Sequence, residues 1–291
     1  MPPSLVKSER DTSRLGAHLG LRFLVRAGVV GPSLLLLVLT LIVLAPALDL
    51  YDPYTQNIGA RLLSPLSRGA DGTLHILGTD TVGRDLFSRV VLAGRVTALI
   101  VLSALAIAIT IGTSLGLLAG SVGGRIDSLI VSLADVQLAI PRMLLIIAVV
   151  AASGPSTTVL AILMGITSWV PYARITRAVT MSVKKLEYSQ AALVMGARHA
   201  HMMRRHFFPS VWRQLVVVAS LDIGSLVMLE ASLSYLGLGI QPPLPSFGTL
   251  IAAGQSQLQS AAFLTVAPGL TVFALVLGVN LTTRRFTGEV E

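Results

Sequence analysis

Long apolar runs dominate the chain, separated by short polar or basic segments. A bilayer core of about 30 Å needs about 20 apolar residues in a helix that rises 1.5 Å per residue, and six stretches reach that length. Val29–Leu48 and Val96–Ala119 carry no charged residue. Met143–Ala173 is also free of charge, but Ser153-Gly154-Pro155-Ser156 is a turn signal that divides it. A third span then begins near Ser128 and ends near Ser153, enclosing Asp135 and Arg142, and a fourth runs from about Thr157. Leu215–Leu236, with Asp222 and Glu230 inside it, makes a fifth, and Ala261–Leu281 a sixth. The predicted fold class is an all-α membrane protein with six transmembrane helices.

Composition supports this reading. The chain is 53% hydrophobic and only 12% charged, against roughly 25% charged in soluble domains. The net charge of +8 lacks the interleaved aromatics of a nucleic-acid surface, so no nucleic-acid partner is expected and the surplus reads as topology. Five Lys and Arg residues against two acids precede the first span, and eight cations from Arg174 to Arg213 face Glu187 alone. Such segments resist translocation, so both are expected in the cytoplasm. With an even number of spans, both termini are cytoplasmic and the protein is multi-pass in the cytoplasmic membrane, in contact with lipid. The first 28 residues form a cytoplasmic segment, 29–48 the first span, 49–94 an external loop with an amphipathic segment, about 174–213 a cytoplasmic loop and 285–291 a cytoplasmic tail. The apolar run after residue 28 ends in no small-x-small cleavage pattern, so it is expected to be a retained span.

Several chemistries are excluded. The chain has no cysteine, so it holds no disulfide, thiolate metal site or thiol nucleophile. It has no Gly-x-x-x-x-Gly-Lys-Ser/Thr loop to cradle phosphates, and neither His-Glu-x-x-His nor Gly-x-Ser-x-Gly. It is not expected to be an enzyme, to bind a cofactor or to hold a metal: His199, His201 and His206 lack accompanying carboxylates and do not share a helix face. Asp135, Arg142, Asp222 and Glu230 lie at membrane depth, where ionisable groups are costly and functional by default. Asp135 and Arg142 are seven residues apart, hence on one face of a helix, though Pro141 could kink it. Gly112, Gly116, Gly120 and Gly124 recur every fourth residue and predict a strip for close helix packing. Asp80, Arg84, Asp85 and Arg89 have spacings of about four, which on a helix would make a ladder of ion pairs on a surface face. That face is either solvated or a contact for another protein.

The cytoplasmic loop reads Glu187-Tyr188-Ser189-Gln190-Ala191-Ala192-Leu193-Val194-Met195-Gly196-Ala197-Arg198 and continues to His206-Phe207-Phe208-Pro209. Small residues, a glycine and then a proline thirteen positions on suit two short helices with a bend at Gly196. From the charge pattern alone it could equally be an ordinary basic loop. This stretch resembles the EAA loop of binding-protein-dependent ABC importer permeases, with Gln190 where the family has Glu. Leu77-Gly78-Thr79-Asp80-Thr81-Val82-Gly83-Arg84-Asp85 through Arg89 is similar to an element before the second span of the C-type subunit of oligopeptide, dipeptide and nickel permeases. Leu229-Glu230-Ala231-Ser232-Leu233-Ser234-Tyr235-Leu236-Gly237-Leu238-Gly239, followed by Gln241-Pro242-Pro243 and Pro245-Ser246-Phe247-Gly248, resembles a further stretch of the same subunits.

The resemblance implies a type I ABC importer permease fold, with the permease domain over 95–284. It further implies ATPase coupling through Glu187, Gln190, Ala191, Ala192, Gly196, Ala197, His206 and Pro209, and an external motif of Gly78, Asp80, Gly83, Arg84, Asp85 and Arg89. The implied partners are a second, homologous permease, one or two ATP-binding subunits that carry ATP and Mg, and an extracytoplasmic peptide-binding protein. The implied cargo is an oligopeptide or dipeptide, with nickel the alternative within the family. A self-sufficient secondary transporter or channel is the alternative from another class, and would be expected to show internal repeats or broken helices.

Overall fold

The computed structural model describes residues 31–42, 52–70 and 72–286. Helix α1 covers Gly31–Ile42; the ends of the expected first span, the amino-terminal segment and residues 287–291 lie outside the described residues. A 3-10 turn at Ile58–Ala60 and a two-residue antiparallel hairpin, β1 (Ser67–Arg68) with β2 (Leu74–His75), precede the helical body. That body consists of α2 (Leu86–Val122), α3 (Gly124–Ala139), α4 (Arg142–Ser153), α5 (Thr157–Ile166) and α6 (Trp169–Lys184). It continues through α7 (Glu187–Val194), α8 (His199–Met202), a π turn at Met203–Phe207, α9 (Phe208–Tyr235), α10 (Phe247–Gln255) and α11 (Phe263–Phe286).

Among the described residues four segments are long and apolar enough to cross a membrane: Leu86–Val122, Thr157–Lys184, Met203–Tyr235 and Phe263–Thr283. The pair α3 and α4 makes a fifth, bent by 80°, and α1 is a shorter apolar helix. The arrangement agrees with six spans while correcting their limits. Helices continue past the points where charge begins: α2 starts ten residues before Val96 and holds Arg89 and Arg95, and α6 continues past Ala173 with Arg174 and Arg177.

Helix α2 is the axis of the fold, and α6 lies along it because glycine removes the side chains between them. A Cβ placed on Gly112 would sit 2.5 Å from that of Tyr172; on Gly116, 2.6 Å from that of Thr176; on Gly120, 2.7 Å from that of Thr180. Gly124 is not part of this strip. It and Gly123 take φ of +60° and +76° with open space where a Cβ would be, forming the turn from α2 into α3. Gly165 of α5 repeats the close approach, 2.6 Å from Ile107 Cβ. The core between α2, α5, α6, α9, α10 and α11 is filled by Ile100, Leu160, Met164, Tyr172, Leu226 and Phe247, each at most 2% exposed. Helices α3 and α4 bury little beyond Ile130, Ala134, Ile146 and Val150, and expose a broad apolar surface including Leu129, Leu133 and Leu144.

Candidate functional site

The loop between α6 and α9 folds as two short helices around a left-handed residue. Gly196 has φ +85° and nothing within 4 Å of a built Cβ, so conformation and not space demands glycine here. The turn is closed by the Met195 N–H donating to Ala191 O and the Ala197 N–H donating to Ala192 O, both at 3.0 Å. Ala192 and Ala197 rest on a small cluster of Val183, Met202 and Phe207. Glu187, Gln190 and Ala191 face outward, and Gln190 donates to Lys185 O at 3.2 Å, capping the end of α6. At the tip, Val194 and Met195 are 89% and 81% exposed. Half-buried His206 stacks near Tyr188, ring centres 5.7 Å apart. Pro209 follows directly on the π turn at Met203–Phe207, in the first turn of α9.

Along the helices the acidic and basic residues separate into distinct groups. Asp135 and Arg142 do not share a helix face: α3 ends at Ala139, Ile140 turns extended, and Pro141 precedes α4. Pro disfavours helix at the residue before it, which explains the break. Asp135 instead pairs with Arg174 of α6 at 2.7 Å in an exposed position, and Asp127 takes a two-pronged bond from Arg177. Arg142 donates to Ser168 Oγ at 2.6 Å. Tyr172 donates to Asp222 at 3.0 Å, and Ser225 to the other carboxylate oxygen at 2.7 Å. Gln137 donates to Thr167 O and accepts from the Trp169 indole, tying α3 to the α5–α6 junction. Glu230 is fully buried; it accepts from Thr97 of α2 at 2.9 Å and Ser234 at 2.7 Å, and Ser234 Oγ accepts the Ile240 N–H.

The Asp80–Arg89 ladder is overturned. Residues 80–85 are a turn, and Asp85 is the N-cap of α2, accepting the Ser88 N–H at 2.8 Å. Asp80 accepts the N–H groups of Val82 and Arg84, Arg84 Nε at 2.7 Å and Arg89 Nη1 at 3.2 Å. The second carboxylate, Asp85, holds His75 Nδ1 of β2 at 2.9 Å. None of Asp80, Asp85 and Arg89 is more than 9% exposed, so the cluster clamps the hairpin to the start of α2 and does not present a charged face. Gly78 and Gly83, at φ +80° and +78°, run too close to Leu63 O and Asn57 O for any side chain.

Residues 112–288 match the family described as binding-protein-dependent transport system inner membrane component. The chain belongs to this family. It is a non-catalytic, multi-pass inner-membrane permease component of an ABC importer, and ATP hydrolysis falls to a partner. Among curated proteins it is similar to the dipeptide transport system permease protein DppC of Haemophilus influenzae, 34% identical over 88% of this chain and 87% of that protein. It is 36% identical to the di/tripeptide transport system permease protein DppC of Pseudomonas aeruginosa over 87% and 84%, and 33% identical to the nickel transport system permease protein NikC of Escherichia coli over 79% and 81%.

Within this importer subunit the structure brings together residues that the sequence did not single out. Gln137, Ser168, Tyr172 and Trp169 join Arg142 and Asp222, and Thr97 and Ser234 join Glu230. The available signal was polar side chains inside otherwise apolar spans. Among the described residues no group of three or more His, Asp or Glu side chains is placed to hold a metal ion.

Proposed function

We infer that this chain is the pore-forming subunit of an importer that carries dipeptides or oligopeptides across the cytoplasmic membrane, both termini lying in the cytoplasm. The observation that carries the cargo assignment is similarity over almost nine-tenths of the chain to permeases named for dipeptide and di/tripeptide transport. A second, homologous permease completes the path, one or two ATP-binding subunits supply ATP and Mg, and an extracytoplasmic peptide-binding protein delivers cargo. Coupling runs through Glu187, Gln190, Ala191, Ala192, Gly196, Ala197, His206 and Pro209. The reading is supported by the exposed apolar tip at Val194 and Met195, since solvent-exposed apolar residues on a basic cytoplasmic turn suit a protein partner better than water. The external motif of Gly78, Asp80, Gly83, Arg84, Asp85 and Arg89 supports the outer end of α2. Nickel is the second reading, favoured by the similarity to NikC.

The test is ATP hydrolysis by the reconstituted complex, titrated with binding protein loaded with dipeptide or with nickel. Stimulation by the peptide-loaded form supports peptide import, and stimulation by nickel alone replaces it with the second reading. Gly196→Pro should abolish stimulation while basal hydrolysis remains. Solute movement by this chain without any ATPase would refute the importer role.

A further inference from the structure

Two helix breaks and one central carboxylate meet near the middle of the spans. The α3–α4 pair breaks at Ile140-Pro141 with an 80° bend. The α5–α6 span is interrupted at Thr167-Ser168. Asp222 lies at the centre of α9, with thirteen or fourteen residues on either side. Interrupted backbone at membrane depth is tolerated where it is buried in protein or lines an aqueous cavity, and discontinuous helices commonly frame solute sites. Here they frame a cavity of about 240 Å3 whose lining includes Gln137, Ile140, Arg142, Thr167, Ser168 and Asp222.

The charges in this cavity are incompletely satisfied. Arg142 and Asp222 both line it, yet they form no direct ion pair; Arg142 reaches Ser168, and Asp222 is held by Tyr172 and Ser225. A guanidinium has five N–H donors, and Arg142 Nε is buried with no hydrogen-bond partner. A carboxylate has about four acceptor sites, and two of those of Asp222 are occupied by the hydroxyls. Opposite charges at membrane depth that do not close on each other are costly. That cost is offset when a solute bearing both charges bridges them. The volume lies just below the roughly 300–1,000 Å3 of ordinary small-molecule sites, which suits a dipeptide.

We propose that this cavity is a transit site for zwitterionic dipeptides, in which Arg142 takes the terminal carboxylate and Asp222 the terminal ammonium. The site rests on the peptide-import reading and narrows it, since it makes the permease itself selective for free peptide ends. Ser168 and Tyr172 are positioning residues: their hydroxyls hold the two charged groups in place.

Because the chain has no cysteine, Ile140→Cys introduces its single thiol at the lining, on a residue 46% exposed. In the full importer complex in proteoliposomes, labelling of this chain by a small neutral maleimide is measured against alanyl-alanine, its carboxamide and its N-acetyl form. Alanyl-alanine should slow labelling at a concentration about tenfold lower than either analogue, the factor one charge-assisted hydrogen bond is worth. Arg142→Gln should erase the acid-over-amide difference, and Asp222→Asn the difference from the N-acetyl form. The comparison of the three peptides needs no substitution at the charged positions, so it stands even if those variants misassemble. Equal protection by all three, or none by any, overturns the proposal. Peptide uptake by the same vesicles with loaded binding protein is read separately: uptake without end-group discrimination removes the transit site alone, and absence of uptake removes the peptide reading beneath it.

Discussion

Replacing Asp80 with Ala should destabilise the protein more than its place in a turn ahead of α2 suggests. Its carboxylate accepts from two backbone N–H groups, from Arg84 Nε and from Arg89 Nη1. The side chains of Asp80 and Arg89 are 12% and 10% exposed, and Arg89 Nε is already buried without a partner. Removing one member of a buried ion pair strands the other charge and costs about 3–5 kcal/mol. In a chain of this size each kcal/mol shifts the thermal midpoint by about 2–4 °C, so a fall of at least about 6 °C is expected for the purified protein, followed by the emission of Trp169 and Trp212. Arg84→Ala is the internal control. Its side chain is 26% exposed, it leaves no buried cation behind, and a partly exposed pair is worth about 1 kcal/mol or less. Asp80→Ala combined with Arg89→Met removes both charges and should regain much of the loss. A midpoint for Asp80→Ala within about 2 °C of that for Arg84→Ala, a difference below what one stranded charge predicts, would refute the reasoning. So would a double variant whose losses simply add.

Other consequences follow from packing and backbone geometry. Gly116→Val should cost about 1–3 kcal/mol by forcing α2 from α6, whereas Gly269→Ala in α11, with nothing within 4 Å of its built Cβ, should be neutral or stabilising by up to about 1 kcal/mol; similar midpoints for the two would show that the glycine strip is not what sets the helix separation. Glu230→Leu should strand the Thr97 and Ser234 hydroxyls at about 1–3 kcal/mol each and, by loosening Ser234 from Ile240, speed protease cleavage within residues 236–246; unchanged cleavage would separate that carboxylate from the loop. At Gly196 the left-handed conformation costs an alanine about 1–2 kcal/mol, and asparagine less, so stimulation of ATP hydrolysis by loaded binding protein should fall more for Gly196→Ala than for Gly196→Asn. Equal effects would make the backbone conformation irrelevant to coupling.

How far the fold was legible depended on which physical signal marked each feature. Turns set by local chemistry were readable: Ser153-Gly154-Pro155-Ser156 separates α4 from α5, with Gly154 at φ +83°, and Gly196 forms its bend. Span limits were less so, because a charge-free run locates the apolar centre of a helix and not its ends. Arg174 and Arg177 stay helical because Asp135 and Asp127 on α3 receive them, and no local pattern announces a partner some forty or fifty residues away. The Asp80–Arg89 segment departs from its spacing for a different reason. Spacing by four suits a helix face, but Asp80-Thr81-Val82-Gly83 is also a turn with Asp first and Gly fourth. Asp85 ahead of an apolar run is likewise an N-cap signal, and both local cues outrank periodicity over so short a stretch.

The central polar groups were found one at a time for a single reason, the expense of charge in lipid, and that rule is silent about pairing. Arg142 and Asp222 are eighty residues apart, and only the bend at Pro141 and the break at Ser168 bring them to one cavity. Pro141 was visible in the sequence, but its consequence was not, because a proline kink has no fixed angle. The broken helices expected of a self-sufficient secondary transporter do occur here, although family membership assigns the chain to importers driven by a partner ATPase. A broken span is thus a property of holding a polar site in a membrane and not of the energy source. On the proposed reading, coupling and solute contact are separable within this subunit: the turn at Gly196 follows α7, and the cavity lies at the breaks of α3–α4 and α5–α6 and the centre of α9. A substitution in one should therefore change either stimulation or end-group selectivity, and not both.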